Sequence, residues 1–513
     1  MKISAKYTAL FLLLVFFASA SGCSDLLDQH PQGEWVQGDE GKGGSFQSDV
    51  FTLYAKIRGF NVTSGTPALA IHSFRSEDAE KGSTASDGAA HGKMYDDFEY
   101  VATNPLLEGY WTGNYEIIIL ANKILDDIAK EEKNKGKLTE GDLINQSEAH
   151  FFRAFAFFNL VRAFGDVPKI DFKVDKAEQA NIAKSPASDI YALIDTDLTA
   201  AEQHLPKAWP GIYIGRLTWG AARSLHAKTY MQRNDWVKMY TASTDVIKSG
   251  IYNLNTPFST IFRETGENCS ESIFELQCTA TPSQPDSHDI GSSFAQVQGV
   301  RGAGEWNLGW GWNTPTELLA QAFEPGDPRK DETLLYFIKT GEDPATIPAN
   351  KPWGEKPIAS ASVVNKYYNK KAYTNPTLRT TYSKGGYWYN IRIIRYSDIL
   401  LMAAEAANET GKPAEAVNYL EMVRARARGS NAAILPKMTT MNQIELRDAI
   451  RHERRVELAM EFDRFYDLVR WGIAKEVLHA AGKTGYQDRN ALLPLPQNEV
   501  DKSNGVLKQN PNY

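Results

Sequence analysis

The sequence predicts a mainly α fold in which helices come in pairs and one loop-rich insertion interrupts them. Three observations carry that reading. Apolar residues recur at three- and four-residue steps through residues 108–250 and 387–471, the pattern of helices burying one face. Short breaks bearing Gly, Pro or Asn separate those runs. Residues 255–386 instead hold many Gly, Pro, Asn and Trp residues and few long periodic runs, which reads as an irregular insertion on a helical frame.

Residues 1–22 have the order of a signal peptide: Lys2 and Lys6, an apolar run from Ala9 to Ala20, then small Ala20, Ser21 and Gly22 before Cys23. The apolar core is about a dozen residues, short of the ~20 a spanning helix needs, so cleavage is expected. Cys23 at that junction resembles the lipobox of bacterial lipoproteins, with Ala20 where leucine is commonest. The resemblance implies diacylglycerol on the Cys23 thiol and acylation of the freed amine, and two or three chains anchor a protein firmly. Residues 24–45 read as a polar tether. Residues 23–513 are expected to form a single body, since helical-pair arrays grow without a boundary. No later apolar run reaches membrane-spanning length. The formal net charge is −7, and −9 without Lys2 and Lys6, which disfavours nucleic acid or an anionic membrane surface as a general partner.

Helices are expected from Tyr110 to Lys130, from Glu148 to Phe164 and from Ser188 to His204. The second carries Phe151, Phe152, Phe155, Phe158 and Leu160 before Gly165 stops it. Aromatics that dense require burial between other helices. Two pairs follow: Thr218 to Gln232 with Asp235 to Ser249, and Tyr396 to Glu409 with Pro413 to Ala427. Gly411 suits a helix C-terminus and Pro413 a first turn. Ala416, Val417, Leu420, Val423 and Ala427 form one face, and Ala403, Ala404, Ala406 and Ala407 on the partner permit close approach. Such pairs resemble tetratricopeptide repeats without regular tandem spacing. Glu271 to Gln277 alternates like a strand between Cys269 and Cys278. Nine extended residues hold those sulfurs roughly 30 Å apart on opposite faces, so two unpaired thiols are expected.

A set of short motifs stands in order along the chain. They are Cys23-Ser24-Asp25-Leu26-Leu27-Asp28, Arg153-Ala154-Phe155-Ala156-Phe157-Phe158-Asn159-Leu160-Val161-Arg162, and Phe164-Gly165-Asp166-Val167-Pro168. Glu271-Ser272-Ile273-Phe274-Glu275, Asn313-Thr314-Pro315-Thr316 and Gly326-Asp327-Pro328-Arg329 follow. Arg395-Tyr396-Ser397-Asp398, Glu453-Arg454-Arg455-Val456-Glu457-Leu458, Leu493-Pro494-Leu495-Pro496 and Gln509-Asn510-Pro511-Asn512-Tyr513 complete the set. In this order they resemble the SusD/RagB family of outer-membrane nutrient-binding lipoproteins, and the resemblance spans nearly the whole mature chain. It implies irregular tetratricopeptide-like pairs, a surface ligand site for a glycan or another oligomeric nutrient, and a SusC-type, TonB-dependent transporter as partner. It also implies an outer-membrane location, lipid-anchored and facing the exterior.

No local signature of catalysis stands out. Arg447, Arg451 and Arg455 run beside Glu453, Glu457 and Glu461 on one helix, which reads as ion-paired architecture and not as carboxylates flanking a sugar. Val456 occupies the place where a zincin would need its second histidine after His452-Glu453, and Val477 stands where a phosphate loop ending in Gly482-Lys483-Thr484 would need glycine. No cofactor and no metal site is expected. A surface glycosidase and an envelope scaffold are the rival readings.

The ligand-site candidates are aromatic. Trp306, Trp310 and Trp312 sit among Gly302, Gly304, Gly309 and Gly311, and an indole face stacks on the apolar C–H face of a sugar. Trp306 is the first candidate, because Trp310 and Trp312 adjoin the family-like Asn313 run, where burial has at least equal claim. The loop from His72 to Lys93 offers Phe74, Arg75, Glu77 and Asp78 as contacts to hydroxyls, or else forms a solvated turn. Trp111 and Tyr115 read as core.

Overall fold

Most long helices begin or end where the sequence supplies a cap. In the computed structural model, which describes residues 43–338 and 363–513, the helices of twelve residues or more are α1 Gln47–Arg58, α2 Pro105–Lys135, α3 Glu140–Phe164, α4 Ala187–His204, α5 Trp219–Gln232, α6 Trp236–Lys248, α7 Tyr396–Glu409, α8 Pro413–Arg428 and α9 Gln443–Glu457. The signal segment 1–22, Cys23 and the tether up to residue 42 lie outside the described residues. Asn104 accepts from the Leu106 N–H ahead of Pro105, and left-handed Gly136 ends α2. Thr139 and Asp142 form a reciprocal capping box at α3, whose Asp142 also accepts from the Ser45 N–H at 2.7 Å.

Packing follows the chain. Each of α2 to α8 lies against the next, and α9 covers α7 and α8. Thus α6 and α7, separated by the long insertion, are neighbours, and the two sequence-predicted pairs stack into one irregular tetratricopeptide-like array. Ala403, Ala404, Ala406 and Ala407 are fully buried in that contact region. The α3 phenylalanines are equally buried: Tyr54 and Phe274 meet Phe152 and Phe151 edge-on at 4.7 and 5.4 Å.

Strand structure among the described residues is limited to four antiparallel pairs. They join β1 Ala79–Gly82 to β5 Trp312–Pro315, β2 Val167–Pro168 to β3 Lys184–Ser185, β4 Ser272–Leu276 to β8 Ile391–Arg395, and β6 Leu334–Tyr336 to β7 Tyr367–Asn369. The alternation read in β4 does not expose one face. Residues 273–276 are all buried, because the Glu275 carboxylate turns inward to accept from the Asn268 N–H. Cys269 and Cys278 are both free thiols.

A buried ionic web fixes the insertion to the frame. Arg395 reaches Glu271, Glu457 and Glu461; Arg329 reaches Asp327, Glu453 and Glu457; Arg426 bridges Glu271 and Glu457. Burial pushes the Glu457 carboxyl up, but Arg426, Arg395 and Arg329 outweigh it and hold it far below the usual carboxylate range. Arg447 pairs with Glu409, Arg451 covers the Trp471 ring and Arg455 clamps Asp78. These stripes are architecture, as their spacing suggested. Lys483 likewise donates to the Phe74 and Ala79 carbonyls at 2.6 and 3.1 Å, tying the C-terminal region to the segment around β1.

Candidate functional site

A cleft of about 420 Å³ opens where α1 ends, between the 59–62 turn, α2 and the 288–289 loop. The chain reaches it through Gly59, the C-cap of α1, and continues as a single π-helical turn, Phe60–Ser64. Such turns insert an extra residue into the helical repeat and recur at functional sites. Close approach explains the glycines around it. A Cβ on Gly113 would lie 2.9 Å from Val62 and 3.0 Å from Asn61, and one on Gly109 would lie 2.9 Å from the Asn61 side chain. These two positions, one turn apart on α2, let the 59–64 segment lie flat on the helix. A Cβ on Gly65 would sit 2.4 Å from the Phe60 carbonyl oxygen and 2.5 Å from its ring, so Gly65 leaves room for both the turn and the ring.

Trp310 stands beside Phe60, with ring centroids 6.2 Å apart and planes tilted by 58°. It is 40% exposed. Its N–H donates to the Gln296 carbonyl at 2.9 Å, and the next residue, Gly311, donates to Gly299 at 2.9 Å. A Cβ on Gly309 would meet the Gln296 carbonyl at 2.1 Å, and Gly311 has φ of +75°. Two glycines therefore leave the indole open to solvent beside Phe60 while the backbone on either side is pinned.

Polar groups complete the cleft. Lys56 and Glu116, both half-exposed, pair across it at 2.7 Å. Arg58 donates to the Gln277 and Asp289 carbonyls at 2.8 and 2.5 Å, which fixes the loop carrying His288 and Asp289. The His288 ring meets Tyr387 edge-on at 5.1 Å, and the Tyr387 hydroxyl donates to Gln296 at 3.0 Å. An aromatic wall with donors and acceptors at its foot suits a ring that is apolar on its face and hydroxylated at its edge. Glu116 and Asp289 are the carboxylates of this cleft, and both are solvated.

The candidates read from sequence are placed differently. Trp306, expected to be the open platform, is 2% exposed: its ring meets Phe337 edge-on at 5.0 Å and stacks with Tyr373 at 6.2 Å. The 3₁₀ turn Gly304–Trp306 folds it inward, so of the three indoles it is Trp310, and not Trp306, that is open to solvent. Trp312 is 7% exposed and lies beneath the 83–92 loop, where a Cβ on Gly88 would touch its ring at 2.4 Å. Its N–H donates to Asp87 at 3.1 Å. Burial pulls the Asp87 carboxyl up, but the Ser83 and Trp312 hydrogen bonds and the Arg301 charge hold it below its ordinary value. Phe74, Arg75 and Asp78, expected to offer contacts, are buried. A second π turn, Ala70–Phe74, carries the chain into the core. Asp78 is clamped by Arg455 at 2.5 Å and Glu77 by Arg464 at 2.5 Å. Trp111 and Tyr115 are core, as read. Phe60, Lys56, Asn61, Glu116, His288 and Asp289 were missed; the Gly109/Gly113 pair, one helical turn apart, was the available signal of a close approach at that face.

Two family models tile the chain: "Starch-binding associating with outer membrane" matches residues 55–231, and "SusD family" matches residues 270–513. The chain belongs to the SusD/RagB family. SusD-like protein P2 of Formosa agariphila is 28% identical over 99% of this chain and all of its own length. A solved laminarin-binding SusD-like protein is 26% identical, with a TM-score of 0.73 over 91% of this chain and 98% of that one. Surface glycan-binding protein A from Bacteroides fluxus is 25% identical, with the same TM-score and the same coverage. The mainly helical SusD-like architecture expected from the sequence is the one present. No described helix is long and apolar enough to cross a membrane.

Proposed function

We propose that this SusD/RagB protein is a noncatalytic glycan-binding lipoprotein of the outer membrane. It holds an oligosaccharide against Trp310 and Phe60 and passes it to a SusC-type, TonB-dependent transporter. The observation that supports the reading is Trp310: a large indole, pinned by its backbone, open to solvent and next to Phe60, which lines a polar-footed cleft. An unpartnered indole is costly to leave in water, and a sugar face is its natural cover. The named binding of laminarin by a relative of this family makes β-glucan the first ligand to try. The order of residues 1–23 supports attachment through Cys23, and the family resemblance supports an outward orientation.

Titration calorimetry of the mature protein with laminarin and with a panel of neutral glycans tests the reading. Binding should be saturable, and the glycan should be recovered with its chain length unchanged. Binding to no glycan, in a correctly folded sample, would overturn it. Shortening of the glycan that stops with Glu116→Gln or Asp289→Asn would replace it with a glycosidase.

A further inference from the structure

The loop between α4 and α5 carries an apolar tip that the body does not cover. Ile212 is 70% exposed, the most exposed large apolar side chain among the described residues, and Ile214 is 55% exposed. Single apolar residues on a surface are ordinary, whereas two on one turn with aromatics behind them mark a contact surface. The turn is the 3₁₀ segment Gly211–Tyr213, and it is braced from behind. The Trp209 indole N–H donates to the Leu217 carbonyl at 2.8 Å, and its ring meets Tyr213 edge-on at 5.6 Å. The Arg216 guanidinium covers the Trp209 ring at 4.2 Å and is itself held by Glu148 at 2.7 Å. The apolar tip is thus presented by a fixed turn.

Position and charge say what covers it. Arg216 also donates to the Gln47 side chain at 3.2 Å and lies 5.3 Å from the Phe51 ring, both on α1, so the loop adjoins the first helix. Roughly two dozen residues separate Gln47 from Cys23, and even fully extended they span no more than about 80 Å. A lipid on Cys23 therefore keeps this loop close to a bilayer. The chain as a whole is acidic, with a formal net charge of −7, yet no Asp or Glu occurs between Glu202 and Asp235, and the loop itself brings exposed Lys207. A stretch without carboxylates suits the anionic phosphates of lipid headgroups. Isoleucine suits the acyl boundary, and tryptophan and tyrosine suit the level between the two.

We propose that the 207–214 loop is a membrane contact: Ile212 and Ile214 enter the acyl boundary of a phospholipid surface, and Lys207 meets its phosphates. The proposal rests on the anchor at Cys23 for its place in the cell, and on nothing in the glycan site. Two isoleucines bind a bilayer weakly by themselves, but a tethered body meets the surface at high effective concentration, so a weak second contact is enough to set which face turns toward the membrane.

The test separates the loop from the anchor. The mature chain carrying Cys23→Ser, which has no lipid, is sedimented with vesicles of phosphatidylethanolamine and phosphatidylglycerol at millimolar lipid. It should partition measurably, and the double variant Ile212→Ser with Ile214→Ser should partition about tenfold less or weaker still, while melting as its parent does. In the lipidated protein on the same vesicles, a fluorophore on Ile212→Cys, with Cys269→Ser and Cys278→Ser, should be quenched by brominated acyl chains. A soluble form that ignores vesicles, or partitioning unchanged by the double substitution, overturns the proposal. Shielding of the fluorophore that appears only when a transporter is added makes the loop a protein-docking surface and overturns it equally. Failure of the anchor shows separately, as missing fatty-acid labelling of Cys23, and leaves the sedimentation result to decide the loop.

Discussion

Replacing Trp310 by alanine should weaken glycan binding while leaving the fold intact. The magnitude follows from its exposure. A tryptophan side chain offers at most roughly 250 Å², and this one is 40% exposed, so roughly 100 Å² of indole is open to a sugar. At about 25 cal/mol per Å² its burial is worth about 2.5 kcal/mol. Ordering the side chain and its ligand offsets about 0.5–1.5 kcal/mol of that, leaving about 1–2 kcal/mol, which is a five- to thirtyfold rise in Kd by the usual conversion, about tenfold for each 1.4 kcal/mol. The midpoint of thermal melting should move little, since the backbone hydrogen bonds of Trp310 and Gly311 do not involve the indole. Calorimetry on Trp310→Ala and Trp306→Ala side by side is the assay. The second variant should lose about 3–5 kcal/mol of stability through the cavity left between Phe337 and Tyr373, and its folded fraction should bind normally. If Trp306→Ala loses affinity in its folded state while Trp310→Ala binds as before, the reasoning from exposure is refuted.

Three further outcomes follow from the packing and the charges. Gly65→Ala should press on the Phe60 ring, costing about 1–3 kcal/mol of stability and weakening glycan binding several-fold; unchanged affinity would remove Phe60 from the site. Arg395→Met should cost about 3–5 kcal/mol in denaturant melts, because it leaves Glu271, Glu457 and Glu461 buried against fewer cations, and an unchanged melt would show the web to be dispensable. His226 sits between Glu202 and Asp195; burial lowers its imidazole pKa, but these two acids outweigh that and raise it. Its contribution to stability is therefore full below about pH 6.5, the unfolded value, and is lost as pH rises through the higher folded value. His226→Gln should flatten that part of the stability profile, and a slope identical to wild type would assign it elsewhere.

Local signals made the helices legible. Gly165, Gly411 and Pro413 mark helix ends as expected, and the alanines of α7 mark the face that meets its neighbours, whereas α2 and α3 begin at Pro105 and Glu140, ahead of the expected Tyr110 and Glu148. The stripes on α9 were readable as ion pairs because spacing fixes which residues share a face, though their partners Arg329, Arg395 and Arg426 come from elsewhere in the chain. The site was less legible for the same reason. Trp306 and Trp310 both lie among glycines, and what separates them is remote: Phe337 and Tyr373 close over the first, whereas Phe60, 250 positions away, flanks the second and leaves it open. Arg75 and Asp78 looked like surface polar residues because their covers, Phe465 and Arg455, lie almost 400 positions downstream.

Lipid attachment has its own check. Cys23→Ser should abolish labelling by a fatty-acid probe and release the protein from the membrane fraction; persistent labelling would contradict anchoring at that residue.

The central claim is that a glycan lies on the Trp310 and Phe60 faces and leaves uncut. A crystal structure of the mature protein soaked with a laminarin oligosaccharide tests it most directly. The account predicts an intact chain with one sugar ring over the Trp310 indole and hydroxyls within hydrogen-bond reach of the groups lining the cleft. A glycan seated elsewhere, with Trp310 still bare, or one found cleaved between Glu116 and Asp289, would contradict it.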